Sequence, residues 1–128
     1  MRLKHFTLPV GEQILKAMAD ESRIRILNLI YRNREMCISD LEQVLDFTQT
    51  KTSRHLTYLR NAGLVSNRKI DQWVYYSLKD ETEGLIQQML SYFEKDATLL
   101  KDQETYRILH SNRELAINKL QSRRWSPD

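Results

Sequence analysis

The chain is poor in the residues that cross-link or punctuate a fold: among 128 residues there are one cysteine, two prolines and three glycines. A single thiol excludes an intramolecular disulfide framework and cannot fill a four-cysteine zinc site, and this usage implies a reducing, cytoplasmic compartment. So few glycines and prolines disfavour a turn-rich all-β fold and favour long helices. No window approaches the roughly 18 consecutive apolar residues of a membrane span, and the opening MRLKHFTLPVGEQ lacks the apolar stretch of a signal peptide, so neither membrane insertion nor secretion is expected. There is no glycine-rich phosphate loop, nucleophile elbow or histidine cluster, so catalysis has no candidate residues and the chain is not expected to be an enzyme. What is present, 41% hydrophobic and 29% charged residues, suits one compact core without a second independent one.

Apolar periodicity predicts the elements. Ile14, Leu15, Met18 and Ala19 mark one face of a first helix over 12–19. Asp20 is placed to cap a second, in which Ile24, Ile26, Leu27, Leu29, Ile30 and Tyr31 form a wide apolar face closed by Asn33 and Arg34. Met36, Cys37 and Ile38 suit an isolated strand or extended connector, and Ser39 with Glu42 has capping-box spacing for a third helix over 39–45. Asp46 and Phe47 make a tight connection. Thr48 caps a fourth helix of about 49–62, with Leu56, Leu59 and Ala62 inward, and Gly63 ends it. Residues 64–70 and 73–78, rich in Val, Ile, Trp and Tyr, form a hairpin around Asp71-Gln72, although Gln is unusual in such a turn.

Beyond the hairpin, Asp80 and Glu83 repeat the capping-box spacing ahead of the stripe Leu85, Ile86, Met89, Leu90 and Phe93. A break is expected near 97–102, then a further helix carrying Tyr106, Leu109, Ile117 and Leu120 and a frayed tail QSRRWSPD. The fold class is therefore mainly α with a small β-hairpin (α+β). It reads as a winged helix-turn-helix over 1–95, with 96–128 as a C-terminal helical extension of the same domain.

Charge supports that reading. The net charge is only +3, but between Phe47 and Lys79 six cations (Lys51, Arg54, Arg60, Arg68, Lys69, Lys79) stand against the single acid Asp71, a local +5 that leaves −2 elsewhere. Positive charge concentrated on a recognition helix and wing is the footprint of a protein that displaces counterions from phosphates. Gln49, Thr50, Lys51, Thr52 and Ser53 are short or forked hydrogen-bonding side chains suited to base edges, Arg54 to base or phosphate, His55 to phosphate or neighbouring side chains, and Arg68 and Lys69 to the backbone.

The run from Leu15 to Leu78, with LKAMADESRIRIL, SRHLTYLRNAGLV and WVYYSL in that order, resembles the ArsR/SmtB family of winged-helix bacterial transcriptional regulators. The resemblance implies a cytoplasmic homodimer that binds double-stranded DNA at a palindromic operator and represses transcription, in many members until an inducer binds; no inducer is legible here. It also implies that the first helix and the helix after the wing form the dimer interface, which gives Leu85, Ile86, Met89, Leu90 and Phe93 a second role.

Many members carry a metal box reading roughly E-L-C-V-C-D-L. Here the residues are Glu35-Met36-Cys37-Ile38-Ser39-Asp40-Leu41, so the second cysteine is replaced by Ser39, a poor ligand for soft metals. Binding of arsenite by several thiolates within one subunit is excluded. What remains is Cys37 with Asp40, His5 or a partner's residues, and a small buried hydrophobe is the better account of Cys37. The helix after the wing has acids but no histidine between 80 and 96, and His110 with Glu114 reads as an ordinary surface pair. No metal and no other cofactor is therefore expected, and the nearby Glu35 and Asp40 argue against a reactive Cys37.

Overall fold

The computed structural model describes residues 5–124, in the order α1 (Leu8–Met18), α2 (Glu21–Asn33), β1 (Glu35–Cys37), α3 (Ile38–Leu45), α4 (Gln49–Asn61), β2 (Val65–Ile70), β3 (Trp73–Leu78), α5 (Asp80–Ser91) and α6 (Ala97–Arg124). It is the mainly helical winged helix-turn-helix that the periodicity predicts, with one addition. β1 is not isolated but pairs antiparallel with β3, giving a three-stranded sheet of order β1-β3-β2 in which Cys37 and Arg68 flank Tyr75 on opposite sides. The register joins Ile70 directly to Trp73. The turn is therefore Asp71-Gln72, with Asp71 at φ 55 supplying the positive dihedral that Gln would tolerate poorly.

Several boundaries differ from the sequence reading. α1 begins at Leu8, ahead of the expected 12, because Pro9 falls in its first turn, where a missing N–H breaks no hydrogen bond. Neither predicted capping box forms. The cap position of α3 falls on Cys37, two residues before Ser39, and that of α5 on Lys79, one before Asp80, with no side-chain cap at either, so Ser39 and Asp80 already lie inside their helices. α5 instead gathers Asp80, Glu81 and Glu83 in its first turn, where the helix dipole favours negative charge. The expected break at 97–102 comes earlier, over 92–96, and Phe93 therefore lies past the end of α5. Asp96 sets the new start by accepting the Leu99 amide at 3.1 Å. α6 then runs unbroken to Arg124, and the last four residues of the expected tail, 125–128, lie outside the described residues.

The core is apolar and centred on α2, with Ile26, Leu27, Leu29 and Ile30 fully buried against Ile14, Leu41, Leu56, Leu59, Leu64 and Ile86. α6 closes one side of it through Tyr106 and Leu109 and three polar clasps, and its Leu99 is buried as well. Arg25 grips the buried Asp102 through two bonds of 2.9 Å, Asn33 and Gln103 exchange two amide bonds of 2.9 Å, and Arg113 holds Asp40.

One polar junction orients the helices that carry the site. Asp20 accepts the Arg23 amide at 3.0 Å, capping α2 as its spacing predicts. Arg23 in turn caps the end of α1, donating from Nε to the Ala17 carbonyl at 2.7 Å and from Nη2 to that of Lys16 at 3.1 Å. Its guanidinium lies 4.1 Å from the centre of the Tyr58 ring on α4. Three helices thus meet on one side chain. His55 of α4 is buried beside it, and burial pushes its pKa down; Asp20 pulls it up, whereas Arg23, Arg54 and Lys51 push it further down.

Two outcomes follow. Asp20→Ala removes an N-cap and frees Arg23, which lowers stability by about 1 to 2 kcal/mol, read as a reduced urea midpoint at unchanged slope. Because His55 titrates below its ordinary 6.5, the unfolded chain takes up its proton first as pH falls. The stability this neutral histidine contributes is whole above pH 6.5 and declines below it, so the melting temperature falls between pH 7 and 5, and His55→Gln flattens that fall.

Candidate nucleic-acid interface

Thr48 begins the recognition element. Its side chain accepts the Lys51 amide at 3.1 Å, so the cap predicted from sequence is formed. The connection from α3 is three residues, with Asp46 in the left-handed region at φ 56. Thr52, His55, Leu56 and Leu59 of α4 are buried, and this fixes the helix's rotation. The opposite face then presents Gln49, Thr50, Ser53, Arg54, Thr57, Tyr58 and Asn61, spaced at one and four residues as a single helical stripe requires.

This placement divides the residues expected to meet DNA. Gln49, Thr50 and Arg54 are exposed and Ser53 is half-buried, all on the outer face. Lys51 turns back, its ammonium 3.9 Å over the Phe47 ring. Thr52 and His55 have to be removed from the candidates. Thr52 is fully buried and donates its hydroxyl hydrogen to the Thr48 carbonyl at 2.9 Å, and His55 is buried at the Asp20–Arg23 junction. Thr57 and Asn61 join the face although the sequence reading did not select them; Leu56 and Leu59, read as inward, already set the helical phase that finds both.

On the wing, Asn67, Arg68, Lys69, Ile70, Asp71, Gln72 and Trp73 are exposed. Arg68 is not idle: its Nε and Nη2 donate to the Glu35 carboxylate at 2.6 and 2.7 Å. That bond holds the Glu35 carboxyl below its ordinary range. A basic wing tethered to the first strand of the sheet is the outcome, with Ile70 and Trp73 forming an apolar cross-strand pair next to the turn.

The stripe after the wing also divides. Ile86 and Leu90 are spent in the monomer's own core, whereas Leu85 is 38% and Phe93 41% exposed and Met89 is partly buried. α1 adds Leu8, Val10 and Leu15 to the exposed apolar surface, with Leu15 60% exposed although the sequence sets it on one helical face with the buried Ile14 and Met18.

The metal-box positions do not fit a metal. Cys37 is buried with Sγ 3.2 Å from the Ser39 hydroxyl, and both oxygens of Asp40 are engaged by Arg113, at 2.7 and 3.3 Å. Among the described residues no three His, Cys, Asp or Glu side chains come together, and His110 with Glu114 is an exposed pair at 3.7 Å. Among the same residues no helix is long and apolar enough to cross a membrane.

Residues 20–67 match the model of the bacterial regulatory protein, arsR family. The arsenic resistance transcriptional regulator ArsR1 of Pseudomonas putida is 42% identical over 77 residues, a match spanning 60% of this chain and 60% of that relative's length. The arsenical resistance operon repressor of Bacillus subtilis is 36% identical over 80 residues, 62% of this chain and 76% of the relative. Among solved structures, HlyU from Vibrio cholerae superposes with a TM-score of 0.63 at 33% identity, covering 68% of this chain and 95% of that one. Each match reaches well past half of its relative, and the helix-turn-helix and wing are in place: the chain belongs to the arsR family of bacterial regulatory proteins.

Proposed function

We propose that the chain is a sequence-specific DNA-binding transcriptional regulator, a dimeric repressor acting in the cytoplasm on an inverted-repeat operator. The observation that carries this reading is the outer face of α4, polar along its whole length and flanked by a wing with Arg68 and Lys69 exposed. Gln49, Thr50 and Ser53 supply the base contacts, with Thr57 extending the same stripe into the groove. Arg54 and Lys69 bind phosphate. Arg68 joins them by leaving Glu35 or sharing its fork, so Glu35 weakens non-specific attraction in the free protein. Leu85, Met89 and Phe93 together with Leu8 and Leu15 form the dimer contact, while residues 96–128 extend the same domain. Two recognition helices related by a two-fold axis then reach half-sites about 34 Å apart, one turn of DNA. That the chain matches one relative named as an arsenic resistance transcriptional regulator and one named as an operon repressor supports regulation; the residues at the metal-box positions speak against an arsenical or a metal as its signal.

The test is selection of duplexes from a random pool by the full chain, followed by fluorescence anisotropy on the enriched and a scrambled sequence. An inverted repeat bound by two chains is expected, with affinity falling by about 0.9 log units per log unit of salt for each phosphate engaged. Gln49→Ala weakens the enriched duplex by roughly 1 to 3 kcal/mol while leaving the scrambled one unchanged. Lys69→Ala weakens both alike, and Glu35→Gln strengthens both. Flat titrations with every duplex at low salt would refute DNA binding, and equal losses on both duplexes for Gln49→Ala would refute the division of roles.

A further inference from the structure

We propose that α6 positions the DNA-reading unit, with Arg113 acting as a positioning residue through Asp40; the proposal rests on the DNA-binding reading above. Asp40 lies in the first turn of α3, the first helix of the helix-turn-helix, and is only 7% exposed. Its carboxylate receives both arms of one guanidinium, Arg113 Nη2 at 2.7 Å and Nη1 at 3.3 Å, from a residue 73 positions away. Among the described residues Arg113 is the only side chain hydrogen-bonded to it.

The arm that delivers Arg113 is itself fixed. Three turns earlier on α6, Asp102 and Gln103 are bonded to Arg25 and Asn33 of α2, neither of which belongs to the reading unit. Between those anchors and Arg113, Tyr106 packs against the core, and burial, then the negative charge of Asp40, pushes its hydroxyl pKa up. α6 is therefore a strut from the body of the protein to the N-terminus of α3. In the position where the sequence resembles a metal box, this chain places a guanidinium of its own.

The consequence follows from the short path between clasp and groove. α3 has eight residues, about 12 Å of rigid helix, and a three-residue turn joins it to α4. Without Arg113 the buried carboxylate has no counter-charge, a state whose cost is relieved by moving the N-terminus of α3 into water. That movement carries α4 with it. Base contacts depend on alignment to a fraction of an ångström, whereas phosphate attraction does not, so a displaced reading unit loses discrimination before it loses DNA.

The experiment compares the duplex that the wild-type chain enriches from a random pool with its scrambled counterpart, using full-length variants checked by circular dichroism. Arg113→Ala is expected to bind the enriched duplex at least about tenfold more weakly and the scrambled one less than threefold more weakly. Arg107→Ala, which removes a cation of the same helix bonded to Glu104, changes both less than threefold. The double variant Asp40→Asn with Arg113→Gln, a neutral amide clasp, regains most of the discrimination. If Arg113→Ala does not fold, Arg113→Lys, which keeps the charge and loses the fork, is read in its place and is expected to show an intermediate loss. Unchanged binding of the enriched duplex, or an equal loss on both duplexes, overturns the proposal and leaves DNA binding standing. A wild-type chain that enriches no sequence overturns the DNA-binding reading and this proposal together.

Discussion

The rotation of α4 about its own axis governs the rest of the molecule's surface chemistry. Leu56 and Leu59 are fully buried, and the Thr52 hydroxyl is committed to the Thr48 carbonyl, so the helix has one orientation. Every third or fourth residue on the far side is thereby assigned to solvent. Arg23 adds a second restraint by reaching from the end of α1 to the Tyr58 ring, so that the recognition helix is referenced to α1 and α2 as well as to the core beneath it. A stripe of glutamine, threonine, serine and arginine is useful for reading bases only when it is held this firmly.

The polar contacts differ in what they contribute. Arg107 with Glu104 and Lys16 with Glu12 are exposed pairs between neighbouring turns, and such pairs add little stability. Arg25 with Asp102 and Arg113 with Asp40 are of another kind, because each buries a carboxylate nearly completely and joins distant parts of the chain. Burial of a charge is expensive even when paired, so these clasps are better understood as fixing one arrangement of α6 than as raising stability. The reciprocal amide pair of Asn33 and Gln103 has the same character without the charge. Together they explain how a helix whose outer residues are mixed in character can lie against the body along one defined line.

Local rules made much of this legible in the sequence. Asp20 and Thr48 are caps because a short oxygen-bearing side chain stands one position before an amphipathic run, and both caps form. The hairpin and its two-residue turn followed from β-branched and aromatic residues on either side of Asp71-Gln72. The failures have equally local causes. S-x-x-E spacing at Ser39 and D-x-x-E at Asp80 cannot by themselves fix where a helix begins, and the cap position falls two residues earlier at the first and one earlier at the second. Thr52 and His55 look like exposed polar residues until the phase of Leu56 is applied to them. The partners of Arg25, Asn33 and Asp40 lie 70 to 77 residues away on α6, and no periodicity connects them. The junction at Arg23 is hidden for the same reason, since it joins side chain to main-chain carbonyl and ring.

The most direct measurement of the reading surface is a titration of ¹⁵N-labelled protein with an enriched duplex, followed by amide chemical shifts. Shifts confined to the first turns of α4 around Gln49, Thr50, Ser53 and Arg54, to Thr57 and to the wing around Lys69, with α6 little changed, are the expected result. Shifts centred on α6 or on α1, with the outer face of α4 unmoved, would contradict it.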